Sequence, residues 1–235
     1  MSGYLDIHAH FLYGIDDGPR TRSDMEVMLD AAHADGITSL CATPHVTPGV
    51  QPLNNDLLST RLDEARAYCH SQNYQIDLYA GAEIMFTPAL ERFALEGQLP
   101  ALADSGYVLL EFVPDISYAE MESAIGMLQR CGYDVIIAHI ERYECLYRRN
   151  HAYRLKDAYD VRYQVNCSSV LKGRGLLKDH HLKKWFKNEI VDFVATDSHD
   201  AQRRPTRMRA AHEALTQKYG EAYADRLAGL SRGLL

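Results

Sequence analysis

The sequence predicts an α/β protein built on a mostly parallel sheet, and three observations support this. Short apolar runs alternate with longer segments of helical periodicity along the chain. No linker or low-complexity stretch interrupts the alternation. The length of 235 residues suits one large domain, and α/β barrels commonly reach this size. Strand–helix units repeated in this way favour a seven-stranded barrel in a single domain over residues 1–235.

Each predicted element rests on its own local pattern. The strands are short apolar runs between turn residues, and they cover residues 4–10, 37–45, 76–84, 107–112, 134–141, 162–169 and 191–199. The helices have apolar residues at helical spacing, and they cover residues 23–35, 53–72, 88–96, 117–131, 146–159, 178–188 and 207–218. Ser23 and Glu26 have the spacing of a capping box. Gly36 and Gly132 follow two helices directly, where a left-handed residue is favoured.

The bulk composition argues against several classes of protein. A formal net charge of −7 and a pI near 5.9 disfavour a nucleic-acid-binding surface, which would be basic. No apolar run approaches the roughly 18 residues of a membrane span, and the N-terminus lacks the pattern of a secretory signal. Five cysteines, an odd number scattered through apolar segments, indicate reduced core thiols. We therefore expect a cytoplasmic protein without membrane insertion.

Ionisable side chains lie at the carboxyl ends of six of the seven predicted strands. In chain order they are His8 and His10, His45, Glu83, Glu111, His139, and Asp197 with His199. In a parallel barrel these ends share one face, and active sites are built on that face. Strand side chains alternate between faces, so His8 and His10 point the same way. The sequence therefore predicts that these residues converge.

The chemistry of this set points to metal ions. Imidazole and carboxylate groups bind first-row divalent ions such as zinc, manganese and iron. The set is larger than the four ligands of a closed structural zinc site. Two or three ions that share bridging carboxylates therefore fit it better than one. Such sites stabilise in-line displacement at phosphorus and lower the pKa of a bound water so that it supplies hydroxide.

Each motif alone has a plainer interpretation. The stretch "GIDDGP" at 14–19 reads as a turn, and Pro44 can simply end a strand. A carboxylate such as Glu83 or Glu111 at the end of a buried strand is stronger evidence, because it needs a partner or a cation. A cysteine-based phosphatase loop is absent from the sequence, since no cysteine is followed by Arg six positions later. The metal interpretation therefore depends on the residues acting together.

The motifs taken together resemble a known family. The stretches "DIHAH", "GIDDGP", "ATPH", "GAEI", "LLEF", "AHIERY", "QVNCSSVL" and "ATDSHD" occur in this order between Asp6 and about Arg204. The set is similar to the PHP (polymerase and histidinol phosphatase) family. Within that family it most resembles the bacterial metal-dependent tyrosine-protein phosphatases that serve capsule and exopolysaccharide synthesis. The resemblance implies the PHP fold, a distorted seven-stranded TIM-like (β/α)7 barrel with a three-metal site.

The resemblance also implies roles for particular residues. The first metal takes His8, His10, Glu83 and Asp197, the second takes Glu83, Glu111 and His139, and the third takes Asp16, His45 and His199, with Asp17 as the alternative to Asp16. Arg142 and Arg204 occupy the positions of phosphate-holding arginines, and Arg203 is the alternative to Arg204. Manganese is the first expectation for the two or three divalent ions, with iron or zinc as alternatives. The stretch "TPGVQP" after "TPHV" departs from relatives, which often carry another His or a basic residue there.

The implied activity is hydrolysis of protein phosphotyrosine by metal-activated hydroxide, without a covalent enzyme intermediate. The implied partner is the Tyr-rich tail of a bacterial tyrosine kinase that controls polysaccharide assembly. Two alternatives stay open. One is a small-molecule phosphoesterase, similar to histidinol phosphatase, on the same scaffold. The other is a non-catalytic phosphotyrosine-binding regulator, which would be marked by lost metal ligands, and none of the expected set is missing.

Overall fold

The computed structural model describes residues 3–172 and 176–229. Within these ranges the strands are Tyr4–Ala9 (β1), Ile37–Ala42 (β2), His45–Val46 (β3), Asp77–Ala80 (β4), Glu83–Met85 (β5), Tyr107–Glu111 (β6), Asp134–Ile137 (β7), Arg162–Asn166 (β8) and Phe193–Ala195 (β9). The helices are Arg22–Asp35 (α1), Asn55–Ser71 (α2), Leu90–Leu95 (α3), Tyr118–Arg130 (α4), His151–Tyr159 (α5), Cys167–Leu171 (α6), Leu176–Lys187 (α7), Met208–Tyr219 (α8) and Glu221–Gly229 (α9). Short 3₁₀ segments cover Leu102–Asp104, Ile140–Arg142 and Glu144–Tyr147.

The strands form a curled parallel arrangement of two sheets, which agrees with the predicted α/β class. One sheet has the order β1-β2-β4, and the other has the order β3-β5-β6-β7-β8-β9. Every strand pairing between named strands is parallel. Ala9, the last residue of β1, forms a parallel bridge with Ser198, just past β9. The first and last strands therefore lie side by side, and the carboxyl ends of the strands share one face.

The described part of the chain has nine strands where the sequence predicted seven, because two of the predicted runs are split. The run 37–45 is interrupted at Pro44, which has no N–H to donate to a strand ladder. The run 76–84 is interrupted at Gly81, where an added Cβ would lie 2.7 Å from the Leu102 side chain. Both runs leave the three-stranded sheet at the break and join the six-stranded sheet. Their second parts, β3 and β5, carry His45 and Glu83 to the face with the other strand ends.

The six-stranded sheet separates two apolar clusters. Val108 and Leu110 of β6 pack in the larger cluster, which lies between the strands and the helices. Leu109, on the opposite face of the same strand, packs in a smaller cluster that consists mostly of strand residues, including Ile136 and Phe193. Glu111 lies two residues after Leu109 and therefore shares its face. The smaller apolar cluster therefore lies beneath the polar side chains at the carboxyl ends of the strands.

Several element ends differ from the prediction for local reasons. The capping box of α1 is formed by Thr21 and Asp24, so the predicted pair Ser23 and Glu26 was wrong by two residues. Gly36 ends α1 with a φ of 88°, as predicted. The run 162–169 stays extended only to Asn166, because residues 167–171 form the short helix α6.

Two further observations bear on the class of protein. Among the described residues, no helix combines the length and the apolar character that crossing a membrane would require. All five cysteines are free, and Cys41, Cys69 and Cys167 are buried. Burial raises the pKa of the Cys69 thiol to about 11, which keeps it protonated.

Candidate metal centre

The parallel strands bring the predicted metal ligands to one region. His8 lies in β1 with His10 just after it, His45 opens β3, Glu83 opens β5, Glu111 ends β6, His139 follows β7, and Asp197 and His199 follow β9. These side chains are buried except for that of His45, which is 30% exposed. All of them except His139, together with Asp17, provide ligand atoms for three groups whose members lie within 4.8 Å of one another.

The first group contains His8, His10, Glu83 and Asp197, as the resemblance implies. The two histidine Nε2 atoms lie 3.1 and 3.2 Å from Glu83 Oε2 and 3.5 and 3.8 Å from Asp197 Oδ1. The two Nε2 atoms are themselves 3.2 Å apart. A tetrahedral cation with bonds of about 2.1 Å holds neighbouring ligand atoms about 3.4 Å apart. The spacing of these four atoms therefore fits a bound divalent cation.

The second group contains His45, Glu83 and Glu111. His45 Nδ1 lies 3.2 Å from Glu83 Oε2 and 3.7 Å from Glu111 Oε2. His139 Nε2, which the resemblance assigns to this metal, lies 2.7 Å from Glu83 Oε1 and 3.3 Å from Glu111 Oε1. Glu83 thus belongs to both groups, which is the position of a bridging carboxylate.

The third group contains His10, Asp17, His45 and His199. Asp17 Oδ1 lies 3.4 Å from His45 Nε2 and 3.3 Å from His199 Nε2. The side chain of Asp16 faces the other way and accepts hydrogen bonds from His10 Nδ1, at 2.7 Å, and from the backbone N–H of His45, at 3.0 Å. Of the two aspartates, Asp17 is therefore the one whose carboxylate lies beside the His45 and His199 rings, and Asp16 contacts His10 and the His45 backbone instead.

The electrostatics of the cluster also suit cations. Burial alone raises the pKa of Glu83, but the surrounding histidines, with His8 the strongest, hold it well below the ordinary value. Burial lowers the pKa of His10, but hydrogen bonds to Asp16 and Glu83 outweigh burial and raise it to about 10. The buried carboxylates are thus ionised and require positive charge beside them. In the absence of a metal ion, protonated imidazoles supply this positive charge. A divalent cation can displace those protons and supply the charge itself.

His199 is prepared differently from His10. Burial, with the positive charges of His10 and Arg204, lowers the pKa of His199 to about 4. Its Nδ1 lies 3.1 Å from the backbone carbonyl oxygen of Asp197, whereas its buried Nε2 makes no hydrogen bond with any described residue. A neutral imidazole with an unshared lone pair on Nε2 is the form that binds a metal.

Polar side chains behind the cluster hold the ligands in place. Gln164 Oε1 lies 3.2 Å from His8 Nδ1 and accepts a hydrogen bond from the His139 backbone N–H at 2.7 Å. Gln164 Nε2 donates to Asn166 Oδ1, and Asn166 Nδ2 donates to Asp197 Oδ2 at 2.6 Å. When His8 donates its Nδ1–H to Gln164, its Nε2 lone pair faces the first group.

Tyr143 supports His139 in the same way. Its hydroxyl lies 3.2 Å from His139 Nδ1 and accepts a hydrogen bond from the backbone N–H of Phe112. The roles of Tyr143, Gln164 and Asn166 were not predicted from the sequence. A usable signal existed for the last two, because they lie two residues apart in a buried strand and so form a polar pair on one face.

Two ligands also have unusual backbone conformations. His139 has a φ of 32° and Asp197 has a φ of 52°, both in the left-handed region that residues other than glycine rarely adopt. The backbone N–H of Asp197 donates to the His8 carbonyl at 2.8 Å, which ties this conformation to β1. Such strain concentrates at functional sites, where surrounding contacts maintain it.

Two arginines border the first group. Arg142 Nη2 lies 2.5 Å from Asp197 Oδ2, and Arg204 Nη2 lies 2.7 Å from Asp197 Oδ1. The side chains of Arg142 and Arg204 are 30% and 41% exposed, so both arginines lie at the rim of the buried group. Arg203, the alternative to Arg204, makes no ion pair with a described carboxylate. Of the two neighbours, Arg204 is therefore the one directed at the metal ligands.

The fold and the site together define a class of protein. A parallel α/β sheet gathers imidazoles and carboxylates at its carboxyl edge, in three groups with the spacing of metal ligands, beside two arginines. This is the architecture of an α/β protein whose clustered side chains could hold divalent metal ions. The sequence model of the family described as "Capsular polysaccharide synthesis, CpsB/CapC" matches residues 4–230. The chain therefore belongs to this family, which confirms the family resemblance.

Curated relatives agree with this assignment. The chain is 28% identical over 231 residues to the tyrosine-protein phosphatase CpsB of Streptococcus pneumoniae, which covers 95% of this chain and 94% of the relative. It is also 28% identical over 218 residues to the tyrosine-protein phosphatase YwqE of Bacillus subtilis, with 92% and 85% covered.

Solved structures give the same result. Crystal structures of YwqE from B. subtilis and CpsB from S. pneumoniae are described together as those of unique metal-dependent tyrosine phosphatases. One of these structures matches this chain with a TM-score of 0.87 at 27% identity. The match covers 98% of this chain and 94% of the other chain. The histidinol phosphate phosphatase of Lactococcus lactis matches with a TM-score of 0.59 at 16% identity and 92% of each chain, which shows a shared fold alone.

Proposed function

We propose that this protein is a metal-dependent tyrosine-protein phosphatase. One observation carries the proposal: Asp197, a member of the first ligand group, contacts the guanidinium groups of both Arg142 and Arg204. Phosphate-binding cations thus lie beside the predicted metal site, where a phosphate monoester could contact both. The tyrosine-protein phosphatase names of the relatives specify the ester.

The residues present fit two or three divalent ions. The first ion would be held by His8, His10, Glu83 and Asp197, the second by Glu83, Glu111 and His139 with His45 beside them, and the third by Asp17, His45 and His199. Manganese is the first candidate, with iron and zinc as alternatives, because imidazole with carboxylate accepts all three. When bound, such ions activate a water molecule and neutralise charge on the phosphoryl group.

The protein's own groups would bind and orient the substrate. Arg142 and Arg204 each present a planar fork of donors that matches phosphate oxygens, and both reach solvent at the rim. On substrate binding their donors would turn from Asp197 to the phosphate and stabilise charge that develops during transfer. The leaving group of phosphotyrosine is a phenol with a pKa of about 10, so its departure demands little assistance from a general acid.

The test is hydrolysis of p-nitrophenyl phosphate and of a phosphotyrosine peptide by metal-loaded protein. We expect turnover of both, loss of turnover after exhaustive chelation, and recovery when manganese is restored. Arg142→Gln and Arg204→Gln should each raise KM, because each removes charge-assisted hydrogen bonds to phosphate. Faster turnover of histidinol phosphate than of the peptide would instead favour a small-molecule phosphoesterase. Tight peptide binding without turnover would favour a non-catalytic regulator.

We further propose a role in capsule or exopolysaccharide synthesis, with the Tyr-rich tail of a bacterial tyrosine kinase as the partner. The family description supports the first part, and the second follows from the resemblance in the sequence. We propose that the whole chain acts as a single domain in the cytoplasm, where five free cysteines would stay reduced. Dephosphorylation of a phosphorylated tail peptide in preference to a scrambled phosphopeptide would test the partner.

A further inference from the structure

A cavity lies beside Arg142 and Arg204, the two arginines of the proposed site. It has a volume of about 170 Å³, and Arg142, Asp197 and Arg204 form one wall of it. Its other basic lining residues are Lys172, Arg203 and Arg207. Liquid water takes about 30 Å³ per molecule, so the cavity has room for a carboxylate or phosphate group with a few waters.

The positive charge of this cavity is largely unbalanced. Asp197 is the single acidic residue among the described residues that line it. The carboxylate of Asp197 is already engaged by Arg142, Arg204 and Asn166 at 2.5 to 2.7 Å. Arg142 also pairs with Glu111 at 3.6 Å, and Arg203 interacts electrostatically with Asp200. Lys172 and Arg207, in contrast, form no ion pair with any carboxylate in residues 3–172 or 176–229. This concentration of cations occurs in a chain whose formal net charge is −7.

The neighbouring cavity on the other side of Arg203 has a different character. It is larger, at about 530 Å³, and carries Arg20 and Arg203. However, Asp17, Asp24 and Asp200 also line it, so its charges are mixed. An anion would gain more in the smaller cavity, where cations outnumber the one engaged carboxylate and repel one another until a counter-ion enters.

We propose that Lys172 and Arg207 form a second anion subsite that selects substrates with another negative group close to the phosphotyrosine. This inference rests on the proposed phosphatase function, because the subsite shares Arg142 and Arg204 with the phosphate position. The anionic group is a side-chain carboxylate or a second phosphotyrosine phosphate of the same peptide. Arg207 offers a bidentate fork to either group, and Lys172 offers a point charge.

The test compares three sets of phosphotyrosine peptides of equal length. The three sets differ at one position, which carries Glu, a second phosphotyrosine or Gln. Within each set this position is moved from two residues before the phosphotyrosine to two residues after it. The enzymes are the wild type, the double variant Lys172→Gln/Arg207→Gln and the control Arg130→Gln/Lys187→Gln. Arg130 and Lys187 are exposed and end α4 and α7, which lead into strand starts at the opposite edge of the sheet. Each double variant loses two positive charges, one from Lys and one from Arg.

At the best position, we expect wild-type kcat/KM to be about three- to tenfold higher for the Glu peptide or the doubly phosphorylated peptide than for the Gln peptide. The control should keep this ratio, and Lys172→Gln/Arg207→Gln should bring it close to one. The control should leave the hydrolysis of p-nitrophenyl phosphate unchanged. Lys172→Gln/Arg207→Gln should reduce it by less than it reduces the hydrolysis of the Glu peptide, because p-nitrophenyl phosphate has no flanking anion. The preference should shrink as ionic strength rises.

Equal kcat/KM for all three peptides in the wild type would overturn the subsite. A preference that survives in Lys172→Gln/Arg207→Gln would overturn its location. The proposed function fails separately, if metal-loaded wild type hydrolyses neither p-nitrophenyl phosphate nor any phosphotyrosine peptide. A preference limited to the doubly phosphorylated peptide would identify phosphate as the anion, and a preference limited to Glu would identify carboxylate. The single variant Arg207→Glu should reverse the order, so that the Gln peptide is hydrolysed faster than the Glu peptide.

Discussion

The group formed by His8, His10, Glu83 and Asp197 is almost completely buried, whereas the group that contains Asp17 and His45 reaches the surface. The side chain of Glu83 is 1% exposed and that of Asp17 is 61% exposed. Among the buried residues, His8 can donate a hydrogen bond to Gln164 and Asp197 accepts one from Asn166. Asp17 lies on the turn between β1 and α1 without comparable support. One part of the centre is therefore pre-organised, and the other is free to adapt.

This difference predicts unequal effects of substitution. A buried carboxylate surrounded by imidazoles cannot be replaced by water without a loss of charge balance, because the low-dielectric interior penalises uncompensated charge. An exposed ligand at the rim can be replaced in part by water. Substitutions should therefore cost most in the buried group and least at the surface.

The largest effect is expected for Glu83→Ala. Glu83 lies within 3.2 Å of His8, His10, His45 and His139, so its removal takes a shared ligand from both the first and second groups. We expect kcat/KM with p-nitrophenyl phosphate to fall by at least about 100-fold, because loss of a ligand should cost more than loss of a supporting hydrogen bond. Metal analysis after gel filtration should show fewer ions per chain. A variant with wild-type metal content and activity would contradict the ligand assignment.

Metal removal should lower the thermal stability of the wild type by a measurable amount. A cation at 100 times its Kd stabilises the folded state by about 2.7 kcal/mol, which corresponds to roughly 5–10 °C in Tm for a chain of this size. Scanning fluorimetry with and without a chelator would measure the shift. The same treatment of Glu83→Ala should produce a much smaller shift. Equal shifts in both proteins would place the stabilising ion elsewhere.

An intermediate effect is expected for Gln164→Ala. This change removes the partner of His8 Nδ1 and of the His139 backbone N–H, and it leaves the ligands themselves intact. Loss of such support typically costs 10- to 100-fold in metal affinity or activity. Metal titration followed by activity should show weaker binding, and Gln164→Glu, which keeps an acceptor, should recover part of the affinity. Unchanged metal affinity in Gln164→Ala would show that His8 needs no orienting partner.

The smallest effect is expected at the surface, where Asp17→Asn and Asp16→Asn can be compared directly. Asp17→Asn should reduce activity by about tenfold and leave Tm without metal unchanged, because its side chain is largely exposed. Asp16→Asn should lower the metal-free Tm, because Asp16 is mostly buried and pairs with His10 at 2.7 Å. The opposite outcome would contradict this assignment. If Asp16→Asn lost one metal ion without a lower Tm, and Asp17→Asn kept all its ions, Asp16 would be the carboxylate ligand of the third group.

Much of this architecture could be predicted from local pattern. The parallel α/β class followed from alternating strand and helix periodicity, and the strand ends were recognisable because His and Glu interrupt otherwise apolar runs. The strand breaks at Pro44 and Gly81 were harder to predict, because a strand that leaves one sheet for another keeps its apolar pattern on both sides of the break. The hydrogen bonds of Tyr143 with Phe112 and of Gln164 with His8 and His139 were not predicted, because they join residues that are 25 or more positions apart in the chain.

The local sequence accounts for the kinds of atom available at the strand ends, imidazole nitrogens and carboxylate oxygens, and these favour metal ions over cysteine chemistry. It also determined the parallel strand direction, because helical segments between strands return the chain to the same edge. Tertiary contacts, in contrast, place Asp17 rather than Asp16 beside the rings of His45 and His199, and Arg204 rather than Arg203 beside Asp197. Neighbouring loop residues have the same local propensities, so their directions depend on contacts with distant parts of the chain.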